Sequence, residues 1–167
     1  MIKSIQYGVM PTNFGGTSQV SNINAVDPNK SLVFSLGWWH NASDPSRGYY
    51  RLELTTSTTV TMYRMADSGQ DGEVYFMVIE WGSGVSQMQR GKIDIPNAAV
   101  QADKTIPAVD LTKTILAWCG CQAQDTGSTG VFGKHGSLCF VNANTLRAIR
   151  RDASLITSVG YNLIEFS

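Results

Sequence analysis

Apolar and polar residues along this chain alternate in short runs with a period of two. Between Tyr49 and Leu54, Tyr50, Leu52 and Leu54 fall on one side and Tyr49, Arg51 and Glu53 on the other, the signature of a strand with one buried face. Ser31–Trp38 is a continuous apolar run and reads as a strand covered on both faces, and Glu73–Trp81 is the most apolar strand. Ile2–Val9, Gln19–Ala25 and the β-branched stretch Thr58–Met65 complete a set of about six strands in the first half. Clusters of Gly, Asn, Asp, Ser and Pro separate them: Thr12–Thr17, Asp27–Lys30, Trp39–Gly48 and Asp67–Gly72. The second half repeats the order with Ser86–Ile95, Gln101–Ile106, Thr114–Cys121, Ser137–Val141, Thr145–Arg151 and Leu155–Phe166. One segment is ambiguous. Leu146, Ile149, Ala153 and Ile156 follow Asn144 at helical spacing, yet the corresponding part of the first half reads only as strand, and a strand is expected there too.

The two halves are one unit written twice. Ile23–Phe34 (INAVDPNKSLVF) returns as Ile106–Trp118 (IPAVDLTKTILAW), with Asp110 lying 83 residues after Asp27 and Lys113 the same distance after Lys30. Ile5-Gln6-Tyr7-Gly8 answers to Met88-Gln89-Arg90-Gly91 at that shift, and Val78-Ile79-Glu80-Trp81 to Leu163-Ile164-Glu165-Phe166 at a shift of 85. The expectation is an all-β protein of two tandem sandwich-like units of about six strands each, residues 1–83 and 84–167, joined at Gly82-Ser83-Gly84. Units this small bury a modest share of their surface, so they are expected to pack on each other or on neighbouring chains.

Composition narrows the function. Thirteen basic and thirteen acidic residues balance, and charged residues make up only 16% of the chain. Such a surface is unsuited to phosphate backbones and to anionic lipid, so neither nucleic acid nor membrane is an expected partner. It suits protein–protein contact, whose buried cores are poor in charge, and a homo-oligomer is expected. Three Cys do not make a disulfide framework. The first residues, MIKSIQYGVMPTNF, carry no secretory pattern, and no apolar run reaches the length of a membrane span.

Candidate chemistry is sparse. The recurring Asp27/Lys30 and Asp110/Lys113 pairs read as turn chemistry, Asp at the first position bonding a backbone N–H two residues on. Cys119, Cys121, His135 and Cys139 are four soft zinc-type ligands. Cys119 and Cys121 lie in an apolar strand, however, where a thiol acts as a small hydrophobe, and no metal or other cofactor is expected. No nucleophile motif surrounds a Ser or Cys, and the two His residues, His40 and His135, both fall in loop-like sequence. Glu80 and Glu165 end equivalent strands and could face each other as a glycosidase pair; a duplicated strand ending at a polar rim accounts for them better. The best candidate for a recognition or interface loop is Trp38, Trp39, His40, Asn41, Asp44 and Arg47. Aromatic faces there could stack on a glycan, or one Trp could be core and the other an interface residue. Asn41-Ala42-Ser43 matches a glycosylation acceptor, discounted without a secretory signal. No catalytic residue is assigned, and the chain is expected not to be an enzyme.

The motifs Ser4–Gly8 (SIQYG), Ile23–Ser31 (INAVDPNKS), Thr55–Met62 (TTSTTVTM) and Val78–Trp81 (VIEW), with their second copies, resemble β-rich virion proteins of tailed bacteriophages. That resemblance implies a non-enzymatic structural protein on the particle exterior, a head decoration or minor capsid component, assembled in the bacterial cytoplasm with other virion proteins as partners. A tail-associated adhesin module that recognises host glycans is the alternative. The second copy departs from the pattern in its Cys-rich strand and long Gly-rich loop.

Overall fold

The computed structural model describes residues 1–13, 15–40, 49–64, 71–123, 135–153 and 155–167. Among the described residues twelve strands run in order: β1 Ile2–Pro11, β2 Ser18–Asn22, β3 Ser31–His40, β4 Arg51–Thr56, β5 Thr59–Tyr63, β6 Gly72–Trp81, β7 Val85–Ile95, β8 Gln101–Thr105, β9 Thr114–Ala123, β10 Gly136–Asn142, β11 Thr145–Arg150 and β12 Thr157–Phe166. Among the described residues there is no α-helix, only a 3-10 turn at Pro28–Lys30. The ambiguous segment after Asn144 is a strand. Leu146 and Ala148 are buried while Ile149 is exposed, and β11 pairs with both β10 and β8.

The pairing order is duplicated. The first half pairs β1-β6-β3 and β2-β5-β4; the second pairs β7-β12-β9 and β8-β11-β10. A bridge between Arg51 of β4 and Gly120 of β9 joins the halves, making one six-stranded sheet, β2-β5-β4-β9-β12-β7. Each half has its own core. Leu52, Leu54, Val60, Met62, Val74, Phe76 and Val78 fill the first, and Ile93, Ile95, Leu146, Val159, Tyr161 and Leu163 the second. A third cluster, with Leu32, Phe34 and Trp81 against Ala117, Ile164 and Phe166, lies where the halves meet. There the equivalent aromatics Trp81 and Phe166 touch edge to face at 5.6 Å.

The repeated motifs are the devices that build each unit. Asp27 accepts the Asn29 N–H at 2.9 Å, and Asp110 accepts the Thr112 N–H at the same distance. The Asp backbone N–H is in turn held by the repeated glutamate: Asp27 donates to Glu80 at 3.0 Å and Asp110 to Glu165 at 2.8 Å. Gln6 bonds the backbone of Asn24, and Gln89 that of Pro107, tying the first strand of each unit to the segment before the turn. Gly8 lies opposite Phe76, and Gly91 opposite Tyr161. A Cβ on Gly8 would overlap the Phe76 ring, and one on Gly91 would come within 3.1 Å of the Tyr161 hydroxyl; each glycine is the seat for a cross-strand aromatic.

A second strap was not visible as a motif. The Arg64 guanidinium donates to the carbonyls of Thr12 and Gly16. That of Arg150 donates to the carbonyls of Pro96 and Ala99 and to Thr157 Oγ1. Each buried arginine thus holds the connection after its unit's first strand, where backbone oxygens would otherwise go unpaired.

Candidate functional site

Residues opposite one another across a ladder share a face of the sheet, so the registers define the outer face of β1-β6-β3. Its rows are Pro11, Glu73 and Trp39; Val9, Tyr75 and Gly37; Tyr7, Met77 and Phe34; and Ile5, Ile79 and Leu32. The last two rows run into the junction cluster. The first two, with Tyr7 and Ile5, stay open to solvent. Tyr7 is 71% exposed, Trp39 49%, and Leu36, the extra residue at the Ser35/Gly37 bulge, 52%. Val9, Ile5 and Tyr75 are exposed as well. The expectation that Ser31–Trp38 is covered on both faces therefore fails over the second part of β3, where Leu36 is exposed. No strand among the described residues is laddered to the far edge of β3, where side chains of the second unit reach only the Ser31 and Val33 carbonyls.

The recognition candidates divide around this face. Trp38 points inward, touching both cores and meeting Tyr49 edge to face at 5.6 Å. Trp39 points outward, its Nε1 donating to Glu73 Oε2 at 3.1 Å. The Tyr75 hydroxyl donates to the same oxygen. Hydrogen bonds from Tyr75 and Trp39 hold the Glu73 carboxyl below the usual carboxylate range, and the same bond raises the Tyr75 phenol. His40 closes β3, its backbone opposite Gly72; Asn41, Asp44 and Arg47, with the glycosylation motif, lie outside the described residues. The structure thus keeps Trp39 as a surface residue and adds Tyr7, Val9, Leu36, Glu73 and Tyr75. Alternation in β1 could have revealed Tyr7 and Val9. Tyr75 lay hidden in a strand that looked apolar throughout.

The equivalent face of the second unit has different chemistry and is covered by the first unit around Gly160 and Asn162, while Lys92 and Asp94 stay exposed. Its rows are Asp94, Ser158 and Gln122; Lys92 and Gly160; Arg90, Asn162 and Ala117. Arg51 of β4 lies across it, donating to Gln122 Oε1 at 3.1 Å and to Glu53 Oε2 at 2.7 Å, with its guanidinium 4.4 Å from the Tyr63 ring centroid. A Cβ on Gly160 would sit 2.7 Å from Arg51 Cγ. Arg90 donates to the carbonyls of Pro28 and Ser31, and Asn162 to that of Val33 at 2.9 Å. Burial pushes the Asp94 carboxyl up, but Ser158 and Lys92 outweigh it and leave the group below its usual range. This polar strip is taken up by contacts within the chain.

The other candidates do not converge. Cys119 belongs to the first core and Cys121 to the second, whereas Cys139 is exposed. Burial pushes their thiols up, to about 12 for Cys119 and about 11 for Cys121. His135 stacks on Trp118. Among the described residues no group of three or more His, Cys, Asp or Glu is placed to hold a metal ion. Glu80 accepts from Lys3 at 2.7 Å, Ser4 at 3.2 Å and the Asp27 N–H; Glu165 accepts from Gln87 and the Asp110 N–H. Both acids clamp turns. Comparison with protein-family models, with curated proteins and with solved structures gave no match for this chain.

Proposed function

We propose that this chain is a non-enzymatic structural component of a bacteriophage particle, on its exterior as a head decoration or minor capsid protein. The observation that carries this reading is the open outer face of β1-β6-β3, where Ile5, Tyr7, Val9, Leu36, Trp39 and Tyr75 stand together in solvent. Aromatic residues are the ones enriched where proteins meet. The polar residues with chemical potential instead have structural employment: Glu80 and Glu165 in turns, Arg64 and Arg150 on backbone carbonyls. On a symmetric particle many modest contacts of this kind add through effective concentration. The phage setting comes from the likeness of the repeated motifs. Immunogold labelling and quantitative mass spectrometry of purified particles test it. A high copy number over the head is expected for decoration and a low one there for a minor capsid component; label confined to the tail, or particles without the chain, refute the reading.

A second reading has a specific observation in its favour. Trp39 and Tyr75 flank the Glu73 carboxylate on the open face, an aromatic surface beside a hydrogen-bond acceptor of the kind that holds sugars. A glycan array decides it: selective binding lost in Trp39→Ala supports a tail adhesin, and a blank array refutes one.

A further inference from the structure

The two units carry equivalent bulges, Gly37 on β3 and Gly120 on β9, both at positive φ, +127° and +86°. They differ in their surroundings. The backbone of β4 lies directly against Gly120: a Cβ there would overlap the Tyr50 carbonyl oxygen and sit 3.4 Å from Arg51 Cα. A Cβ at Gly37 would meet nothing within 4 Å. One bulge is a strand-docking site in use; at the other, among the described residues, no strand is docked.

The repeat also identifies what fits there. The counterpart of β4 is β10: the pair Arg51–Tyr63 corresponds to Ser137–Ile149. Among the described residues β10 is laddered with β11 alone; at Gly136 its other edge is held by Trp118 Nε1 and Cys121 Sγ, and beyond it no strand is paired there. Side chains match in volume and in chemistry. In the joint that forms, the large Arg51 rests over the small Gly160, and Glu53, Gln122 and Asp94 surround it. In the other, the small Ser137 would meet the large Tyr75, which stands where Gly160 does. Cys139 would lie beside Leu36, both exposed, and the exposed Ile149, opposite Ser137 on β11, would extend the row of Val9, Tyr75 and Gly37. Polar faces polar in one joint, and apolar faces apolar in the other. Among the described residues of one chain, β10 and β3 are not paired.

We propose that a second copy of this chain docks through its β10 strand on the open β3 edge at Gly37, with Ser137 of one copy opposite Gly37 of the other, extending β1-β6-β3 by strand addition. This rests on the reading of the chain as an assembly protein and names its partner. Unless two copies close reciprocally, the joint is head-to-tail and builds chains or rings.

Sedimentation velocity of the full chain at rising concentration tests it with two surface variants, both checked for fold by circular dichroism. Leu36→Lys with Trp39→Lys disables the β3 side; Val141→Lys with Ile149→Lys disables the β10 side. The wild type is expected to self-associate and each variant alone to be monomeric. An equimolar mixture is expected to form a species that stops at two copies, through the one joint left intact. Wild type that stays monomeric, or association untouched by either variant, overturns the joint. The same variants on particles separate the two ideas. A monomeric wild-type chain that still labels particles refutes the joint alone, and a self-associating chain absent from particles refutes the virion reading alone.

Discussion

Gly37 and Gly120 are a matched pair for measuring what holds the halves together. Alanine at either position is forced into a left-handed backbone conformation, which costs about 1–2 kcal/mol. At Gly37 the cost ends there, because the space is open. At Gly120 the new methyl would overlap the Tyr50 carbonyl oxygen and come within 3.1 Å of the Tyr50 carbonyl carbon, so β4 must separate from β9. Separation breaks the Arg51–Gln122 hydrogen bond and lifts the Arg51 stem off Gly160. A hydrogen bond to a charged group is worth about 1.5–3 kcal/mol, and Arg51, only 7% exposed, would lose packing besides. Gly120→Ala is therefore expected to cost about 2–4 kcal/mol more than Gly37→Ala. For a chain of this size that separates their melting temperatures by roughly 5–15 °C. Urea unfolding and thermal melts on dilute protein measure the difference. Equal losses for the two variants would refute the role of the Gly120 bulge as the joint.

Three further outcomes follow from the packing and the titrating groups. Gly8→Ala is expected to lower stability by about 1–3 kcal/mol, because its methyl meets the fully buried Phe76 ring; a neutral result in urea unfolding would show that the ring is free to move. Burial pushes the Glu80 carboxyl up, but hydrogen bonds from Lys3, the Asp27 N–H and Ser4 leave it below the usual 4.5. Its contribution is then present above that value and is lost as pH falls below it, through the lowered folded-state pKa. Glu80→Gln is expected to cost about 2 kcal/mol at neutral pH and to flatten that acid dependence, and an unchanged dependence argues against the clamp. Of the three thiols, Cys139 is exposed whereas Cys119 and Cys121 are buried with raised pKa values; one fast-reacting thiol per native chain is expected with a disulfide reagent, and a second would contradict the two-core placement.

Much of this fold was legible because its signals are local. Period-two alternation marked the strands, and the repeat settled the Asn144 segment against helical spacing. Asp27 and Glu80 were both visible as repeated residues, but their union was not: they are 53 positions apart, and only the β1-β6-β3 pairing brings them within hydrogen-bond reach. The Gly37 bulge hid the fate of the tryptophans. It inserts a residue into β3 and resets which side chains face the core, so that Trp38 turns in and Trp39 out. Arg64 and Arg150 went unread because an isolated arginine after a strand carries no local sign that backbone carbonyls await it. Leu36 was misread for another reason. An apolar run looks the same whether its second face is covered by its own chain or left for another.

The divergence between the two copies follows a physical rule. Residues that build a unit are retained or replaced in kind: Asp27 and Asp110, Glu80 and Glu165, Gly8 and Gly91, Arg64 and Arg150. Residues on the outer face are exchanged in size and polarity: Tyr7 for Arg90, Val9 for Lys92, Tyr75 for Gly160, Met77 for Asn162. Two identical faces would offer β4 two equivalent places to dock, and the chain would have no single register. A tyrosine in place of Gly160 would fill the space that the Arg51 stem occupies, and an apolar residue in place of Gln122 would remove that arginine's acceptor. The exchange therefore directs β4 to β9 and away from β3, as charge and size direct pairing elsewhere. The same exchange leaves the β3 face apolar, and a face that no longer fits its own chain is free to be selected for fitting another.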